Sequence, residues 1–481
     1  MTQPNIICIS IDSLRADYCS LFDSVGQNTT PFLRSLSSES AVFDSAISPC
    51  TWTLPAHTSV FTGLFPPEHG ITTGDAVLGE HPTFAELLAQ NGYTTSAFYR
   101  NSWFDTGDIL RGFEHRQRGE NDAEENTDTS IKERIADGVH DISPRFESVL
   151  TNGYRAQKRL RSALNLYTDW QVPKSRSADA DREGDRTIRE SITALKDADE
   201  PFCYFVHLND AHWKYDPPNP FHRSFTDRRV ANLVYNHEVW QRRVYHSRSN
   251  RFRTAAGLIE PPEREVETFR NLYRGAIEHC DVLIERLVNA LKEAGHWENT
   301  VLVVFGDHGD SFGECGIFGH HMTVDDSVIR VPLLIRDPTG GIESQTVSTP
   351  VSLIDIYPTI LEIAGIDSPE TNAIDLSSET RDYAYTHYDV SDHDAYTNAS
   401  KWGIDPDDLP SGKQVVIWHS DDDKAIYYPD KDQYDVVGGE GERLRDELNA
   451  HLQRLQPVES SQSALDADVS QRLVDMGYLR E

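Results

Sequence analysis

Short apolar runs alternate along the chain with longer stretches of helical periodicity. Ile6 to Ile11 predicts a buried strand, Pro31 to Leu36 starts a helix, and Thr83 to Asn91 predicts a second helix leading into the strand Thr94 to Phe98. The pattern resumes with a helix from Asp185 to Leu195 and the strand Phe202 to Val206. A long amphipathic helix over about 266–294 precedes the strands Val301 to Phe305 and Val331 to Ile335. Strands separated in this way by helices predict an α/β fold, a large, mostly parallel sheet covered on both faces.

Two regions depart from this rhythm. From 111 to 182 the chain turns polar and charged, with one more helical stretch at about 154–166, which predicts a surface insertion. Beyond Gly365, strands at Gln414 to Trp418 and Ala425 to Tyr428 and a helix at about 442–455 predict a small C-terminal α+β subdomain. The expected division is a main domain over 1–370, the subdomain over 371–456 and a helical tail over 457–481.

Of the 481 residues, 38% are apolar and 10% aromatic, enough for a real core, so a globally disordered chain is excluded. The formal net charge of −33 comes from 78 acidic against 45 basic residues, and only 10 of the latter are Lys. Such an excess repels nucleic acid and anionic membrane surfaces, which removes both as expected partners. It predicts a chain adapted to molar salt, where repulsion among carboxylates is screened within roughly 3 Å at 1 M. No apolar run approaches the length of a membrane span, and Met1-Thr2-Gln3-Pro4 opens without a basic signal region, so a cytoplasmic location is expected. The six cysteines form no CxxC pair and read as small buried hydrophobes in a reducing compartment.

Ligands of such sheets gather outside the carboxyl ends of the strands. Three strand ends carry the chemistry: Asp12-Ser13-Leu14-Arg15, Gly306-Asp307-His308-Gly309-Asp310 and His207-Leu208-Asn209-Asp210-Ala211-His212. Together they predict a metal site assembled from distant segments, although a single Asp in such a place also serves as a helix cap. Between the first strands lies Thr51-Trp52-Thr53-Leu54-Pro55-Ala56-His57, closed by Thr62-Gly63. Pro55 suits a first helical turn and Gly63 the position past a last one, which puts Thr53 at a helix N-terminus, where an anion is favoured. A hydroxyl there, helped by a cation, can attack an oxyacid ester; its commoner use is as an N-cap.

In order and spacing these segments resemble the sulfatase family of the alkaline phosphatase superfamily. The resemblance runs through Pro4-Asn5-Ile6-Ile7 to Asp12, Thr53-x-Pro55-x-His57, and His207 to His212 with Pro217-Pro218. It continues through Thr300-Val301 to Gly309, Gly319-His320-His321, Arg330-Val331-Pro332 and Ile354-Asp355-Ile356-Tyr357-Pro358-Thr359, and it ends at Leu473 to Leu479. It implies an alkaline phosphatase-like fold in which Asp12, Asp307 and His308 bind a divalent cation, with Thr53 in the nucleophile position as a fourth contact. It also implies that His57 and His212 reach the substrate's oxyanion and that His320 or His321 stands where the family has Lys. His212, Asp210 and His320 or His321 are the residues that could hold a second metal. Arg15 and Asn101 are expected to contact the substrate.

Three departures qualify the resemblance. Typical members have Cys or Ser at the Thr53 position, followed by Pro and Arg, and oxidise it to formylglycine; threonine, with a methyl on its β-carbon, cannot give that aldehyde. Ser13 stands where many members have a second Asp, which makes a Ca²⁺ cage less specific and leaves Mn²⁺ or Zn²⁺ credible. His57 replaces an Arg and so lacks its bidentate donor fork. The expectation is a metal-dependent hydrolase of sulfate or phosphate esters, close in nucleophile chemistry to phosphodiesterases. Its substrate would be a small anionic ester, a glycan ester among them. The alternatives are a phosphoryl-type transferase acting on a glycan or lipid-linked acceptor, and a non-catalytic binding protein that has kept the fold.

Overall fold

The computed structural model describes residues 3–22, 25–118, 183–213, 215–226, 248–389, 396, 398–463, 466, 469 and 470. Seven main strands build the central sheet: β1 (Asn5–Ile11), β2 (Ala41–Ile47), β3 (Thr94–Tyr99), β4 (His115–Arg118), β5 (Phe202–Leu208), β6 (Thr300–Gly306) and β7 (Arg330–Arg336). Their order in space is β2-β7-β6-β1-β5-β3-β4, with the short strands Thr346–Val347 and Val351–Ser352 beside β2. Neighbouring pairs from β6 to β4 are parallel, whereas β7 runs antiparallel to both β6 and β2. The reversal has a local cause. The β6–β7 connection holds a ribbon, Ser311–Phe312 paired with Phe318–Gly319, and the single turn Asp326–Ile329, but no crossover helix. Without a crossover, the chain can only return antiparallel.

Alternation along the strands sorts the core into two halves. Ile6, Cys8, Phe205, Val303 and Phe305 pack under α2 (Thr53–Thr62), α3 (Phe84–Gln90) and α6 (Ile356–Ile363). Ile7, Ile9, Ile11, Val206, Leu302 and Val304 face α1 (Pro31–Leu36), α4 (Glu183–Leu195) and α5 (Glu263–Ala294). Each fully buried Ile, Leu or Phe contributes roughly 1.5–3 kcal/mol, so this two-faced burial is what closes the molecule. β1 lies between β5 and β6, and all three point their carboxyl ends to the same edge.

The C-terminal part is a four-stranded antiparallel sheet, β8 (Ala384–Asp389), β9 (Lys413–Ser420), β10 (Asp423–Tyr428) and β11 (Gln433–Val437), in that order. Helix α7 (Gly441–Arg454) covers one face through Leu444 and Leu448. The other face packs Val416 and Trp418 on Ile47, Val328 and Ile329 of the main body.

Some expectations need correction. The polar segment from 111 begins inside the sheet, because His115–Arg118 pairs with β3. Residues 119–182, with the helical stretch at 154–166, lie outside the described residues, as does most of the tail beyond 463. The tail's described start is extended: Ser461–Gln462 pairs with Ala76–Val77. All six cysteines are unpaired, five of them buried and Cys315 exposed. No helix among the described residues is long and apolar enough to cross a membrane.

Candidate active site

Where β1, β5 and β6 end, the register sets Ser10 beside His207 and Phe305, and Ile11 beside Leu208 and Gly306. The next residues, Asp12 and Asp307, therefore emerge side by side. Gly306 permits the approach, since a Cβ there would lie 2.4 Å from the Leu14 carbonyl oxygen. Asp12, Asp307 and His308 are buried and present donor atoms within 4.8 Å of one another.

Backbone and hydroxyl groups hold these side chains. Asp307 Oδ1 accepts from the backbone N–H groups of Ser13 (3.0 Å) and His308 (2.8 Å). Asp12 Oδ1 accepts from the Ser13 hydroxyl at 3.1 Å and Asp12 Oδ2 from Asn101 Nδ2 at 3.0 Å. Ser13 adopts a left-handed backbone, φ 60°, to make both of its contacts. It does not supply a ligand carboxylate; it braces the two that are present.

Two buried atoms are left over. Asp307 Oδ2 and His308 Nε2 have no hydrogen-bond partner, an arrangement that costs about 1–3 kcal/mol per group in a folded protein. Burial, and then the neighbouring Asp12, push the Asp307 carboxyl well above the usual range. Burial would raise Asp12 as well, but His212, His207 and His308 hold it well below that range. Burial also pulls His308 down to about 3, which leaves a neutral imidazole. Two carboxylate oxygens and one neutral imidazole nitrogen fit a divalent cation, which would relieve both the crowding of charge and the orphaned acceptors.

Thr53 is the first residue of α2, and no side chain caps the helix, whose N-cap position is Trp52. Its hydroxyl lies 3.4 Å from Asp12 Oδ2, so it is not spent as a cap. Gly63, at φ 70°, ends the helix as its position in the sequence predicts. Above the cluster sit His212 and His320. His320 Nδ1 bonds Asp310 Oδ1 at 2.8 Å, and its ring lies 4.5 Å from that of His308 and 5.4 Å from that of His212. His321 is one ring further out, 4.6 Å from His320. His212 Nδ1 bonds the Trp213 carbonyl at 2.6 Å.

Four expected roles change. His57 does not reach toward a substrate: it is fully buried among Phe61, Phe104, Phe205 and Phe305. Its ring nitrogens are taken by Ser10 Oγ (2.6 Å) and the Thr53 carbonyl (2.8 Å), and burial keeps it neutral, its pKa well below the ordinary value. Arg15 is committed to Asp17, Glu314 and the Asp310 carbonyl, at 2.7–2.9 Å. Asn101 serves Asp12 and is not placed as a substrate contact. Asp210 turns away to His279, 3.1 Å distant, and so leaves the group that could have held a second metal.

Ser10 stands outside the segments singled out in the sequence, and His207 and Asp310 lie within the strand-end segments without a role of their own. Ser10 and His207 were legible as polar residues on the otherwise apolar α2-facing side of their strands. Asp310 is wholly buried and accepts from the Tyr215 hydroxyl as well as from His320.

A mostly parallel sheet with an Asp–Asp–His cluster and a helix-borne hydroxyl at its strand ends defines a hydrolase of sulfuric or phosphoric esters, of alkaline phosphatase-like fold. The sulfatase family profile matches residues 4–366, and the chain belongs to that family. It is 25% identical over 385 residues to the uncharacterized sulfatase YidJ of Escherichia coli (strain K12), covering 77% of this chain and 69% of that one. An arylsulfatase of Clostridium perfringens is 24% identical over 453 residues, covering 89% and 88% of the two chains. Among solved structures, the phosphonate monoester hydrolase SpPMH from Silicibacter pomeroyi superposes with a TM-score of 0.67 at 20% identity, over 94% of this chain and 96% of that one.

Proposed function

We propose that the chain hydrolyses sulfate or phosphate esters, and the related phosphonate monoesters, with the Thr53 hydroxyl as nucleophile. The observation that carries this reading is the position of Thr53 Oγ1, at the uncapped start of α2 and 3.4 Å from Asp12 Oδ2. Asp12, Asp307 and His308 would hold the divalent cation, which supplies Lewis acidity at the ester oxygens and lowers the cost of ionising a nearby hydroxyl.

The side chains divide the remaining work. The N-terminus of α2 faces the anionic group with its free N–H ends. Thr53 Oγ1 gives up its proton and bonds to phosphorus or sulfur, while the bond to the alcohol oxygen breaks. Nδ1 of His212 and of His320 each donates to an oxygen, which leaves Nε2 as the ring atom that takes up the Thr53 proton and then hands it to the leaving alcohol. Water then cleaves the Thr53 ester and restores the hydroxyl. Formylglycine plays no part: threonine cannot form it, and Cys50 is buried with its thiol pushed up to about 12.

A panel of nitrophenyl sulfate, phosphate monoester, phosphate diester and phosphonate, run in molar KCl with added Mn²⁺, tests the proposal. A sulfated sugar extends it, because a structural neighbour, BT4656, was solved in complex with its substrate D-glucosamine-2-N,6-O-disulfate. Thr53→Ala is expected to lower turnover at least about 10³-fold with metal content unchanged. Near-wild-type turnover in that variant would remove Thr53 as nucleophile.

A further inference from the structure

Between the sheet and α2 runs a closed circuit of contacts that begins and ends on Thr53. The Thr53 carbonyl lies 2.8 Å from His57 Nδ1, and His57 Nε2 lies 2.6 Å from Ser10 Oγ. Ser10 Oγ lies 3.1 Å from His207 Nδ1, and His207 Nε2 lies 3.3 Å from Asp12 Oδ2. Asp12 Oδ2 completes the circuit, 3.4 Å from Thr53 Oγ1. All five residues are buried, and Ser10 and His207 are register partners on β1 and β5.

Chemistry fixes the direction of the contacts. A carbonyl oxygen only accepts, so His57 Nδ1 carries the proton. The other neighbour of that nitrogen, Asp307 Oδ2 at 3.6 Å, is an oxygen with no donor of its own in reach. In the tautomer with its proton on Nδ1, His57 Nε2 accepts from the Ser10 hydroxyl. Ser10 has a single hydroxyl hydrogen, which is then spent, so His207 Nδ1 donates to Ser10. His207 Nε2 is thereby turned to Asp12 Oδ2.

We propose that Ser10, His57 and His207 are positioning residues that act as one unit, fixing the Asp12 carboxylate and the Thr53 hydroxyl relative to each other. The inference rests on Thr53 as the nucleophile proposed above. Its physical basis is that a reacting group must be held within about 0.5 Å of its productive place, and that outer groups do the holding. Asn101 and Ser13 grip Asp12 from the solvent side of the strand ends, and the circuit grips it from beneath α2.

Ser10→Ala, His207→Gln and the double variant test this, with Ser10→Thr as the variant that keeps the hydroxyl. Each break is expected to lower kcat about 10–100-fold, with KM within about twofold, and to weaken Mn²⁺ binding about tenfold by calorimetry. Because the circuit is one unit, the double variant is expected to lose no more than the worse single one, and Ser10→Thr to recover most of the loss. The proposal is overturned if Ser10→Ala keeps kcat and Mn²⁺ affinity within about twofold of wild type, or if the two losses multiply. If His207→Gln does not fold, Ser10→Ala set against Ser10→Thr carries the same decision, since those proteins differ at one side chain. Thr53→Ala reports separately. An active Thr53→Ala protein removes the nucleophile assignment while the Mn²⁺ titrations still judge the hold on Asp12. An inactive one beside an unimpaired Ser10→Ala removes only the circuit.

Discussion

Asp310 shows how one buried carboxylate can set the direction of a neighbouring ring, that of His320. One of its oxygens takes His320 Nδ1 and the other takes the Tyr215 hydroxyl, while the Arg15 guanidinium holds its backbone carbonyl. Burial would raise its pKa, but the bond to His320 keeps it below the usual carboxylate value. Asp310→Asn is expected to reduce kcat about 10–100-fold while the bound metal stays. Steady-state kinetics with metal analysis checks this, and a kcat within about twofold of wild type would take His320 out of leaving-group departure. The residues at the strand tips were readable because Asp or His directly after an apolar strand has few other uses. The pairing of Ser10 with His207 was not, because a polar residue one step inside a strand gains its partner only from the neighbouring strand's register.

At the scale of elements, α5 is joined to α4 and to the end of β5 by four charged or titratable side chains, the triad His279, Asp185 and Asp210 together with Arg286. His279 lies 3.3 Å from Asp185 and 3.1 Å from Asp210, and Arg286 lies 2.6 Å from Asp185. Burial alone would lower the His279 pKa, yet the bonds to Asp185 and Asp210 raise it to about 9. A raised folded-state value means that the contribution is complete below the unfolded value of 6.5 and is lost as pH climbs toward 9. Its size is roughly 3 kcal/mol. Denaturation curves are expected to show stability falling between these pH values, and His279→Gln to be weaker at pH 6 with a flatter profile. A wild-type profile with no such fall would show that the triad does not stabilise the fold. The elements that escaped prediction share a cause. β2 carries Asp44 and Ser45, β4 is His-Arg-Gln-Arg, β8 mixes Thr, His and Asp with aromatics, and β11 opens Gln-Tyr-Asp. Each is a strand because a neighbour offers it a pairing edge, which no apolar run announces.

For the whole molecule, −33 charges must be carried on a fold whose site is itself lined with carboxylates. Many of the basic residues are already paired, as in Arg15–Asp17, Arg100–Glu190, Arg286–Asp185 and Arg336–Glu39, so the remaining excess is repulsive. The midpoint of thermal unfolding is expected to rise steadily from dilute buffer to molar KCl, and a salt-independent midpoint would refute adaptation to salt. The main-sheet class was readable in the sequence because parallel strands buried on both faces are continuous apolar runs. How the C-terminal sheet docks was not, since Val416 and Trp418 meet Ile47, Val328 and Ile329 only in three dimensions.

That docking bears on the order in which the molecule is made. Asp12, Thr53, Asp307 and His308 have all left the ribosome before β8 is translated. Yet it is β8 that binds the segment beneath them: the Thr386 hydroxyl donates to the Ser48 carbonyl, the His387 N–H to the Pro49 carbonyl, and the Ser48 hydroxyl to the carbonyl of Asp307. The catalytic centre thus receives its last brace from one of the latest parts of the chain to be synthesised. A nascent chain stalled before 384 carries the whole Asp12–Asp307–His308 cluster and lacks the strand that braces the segment beneath it.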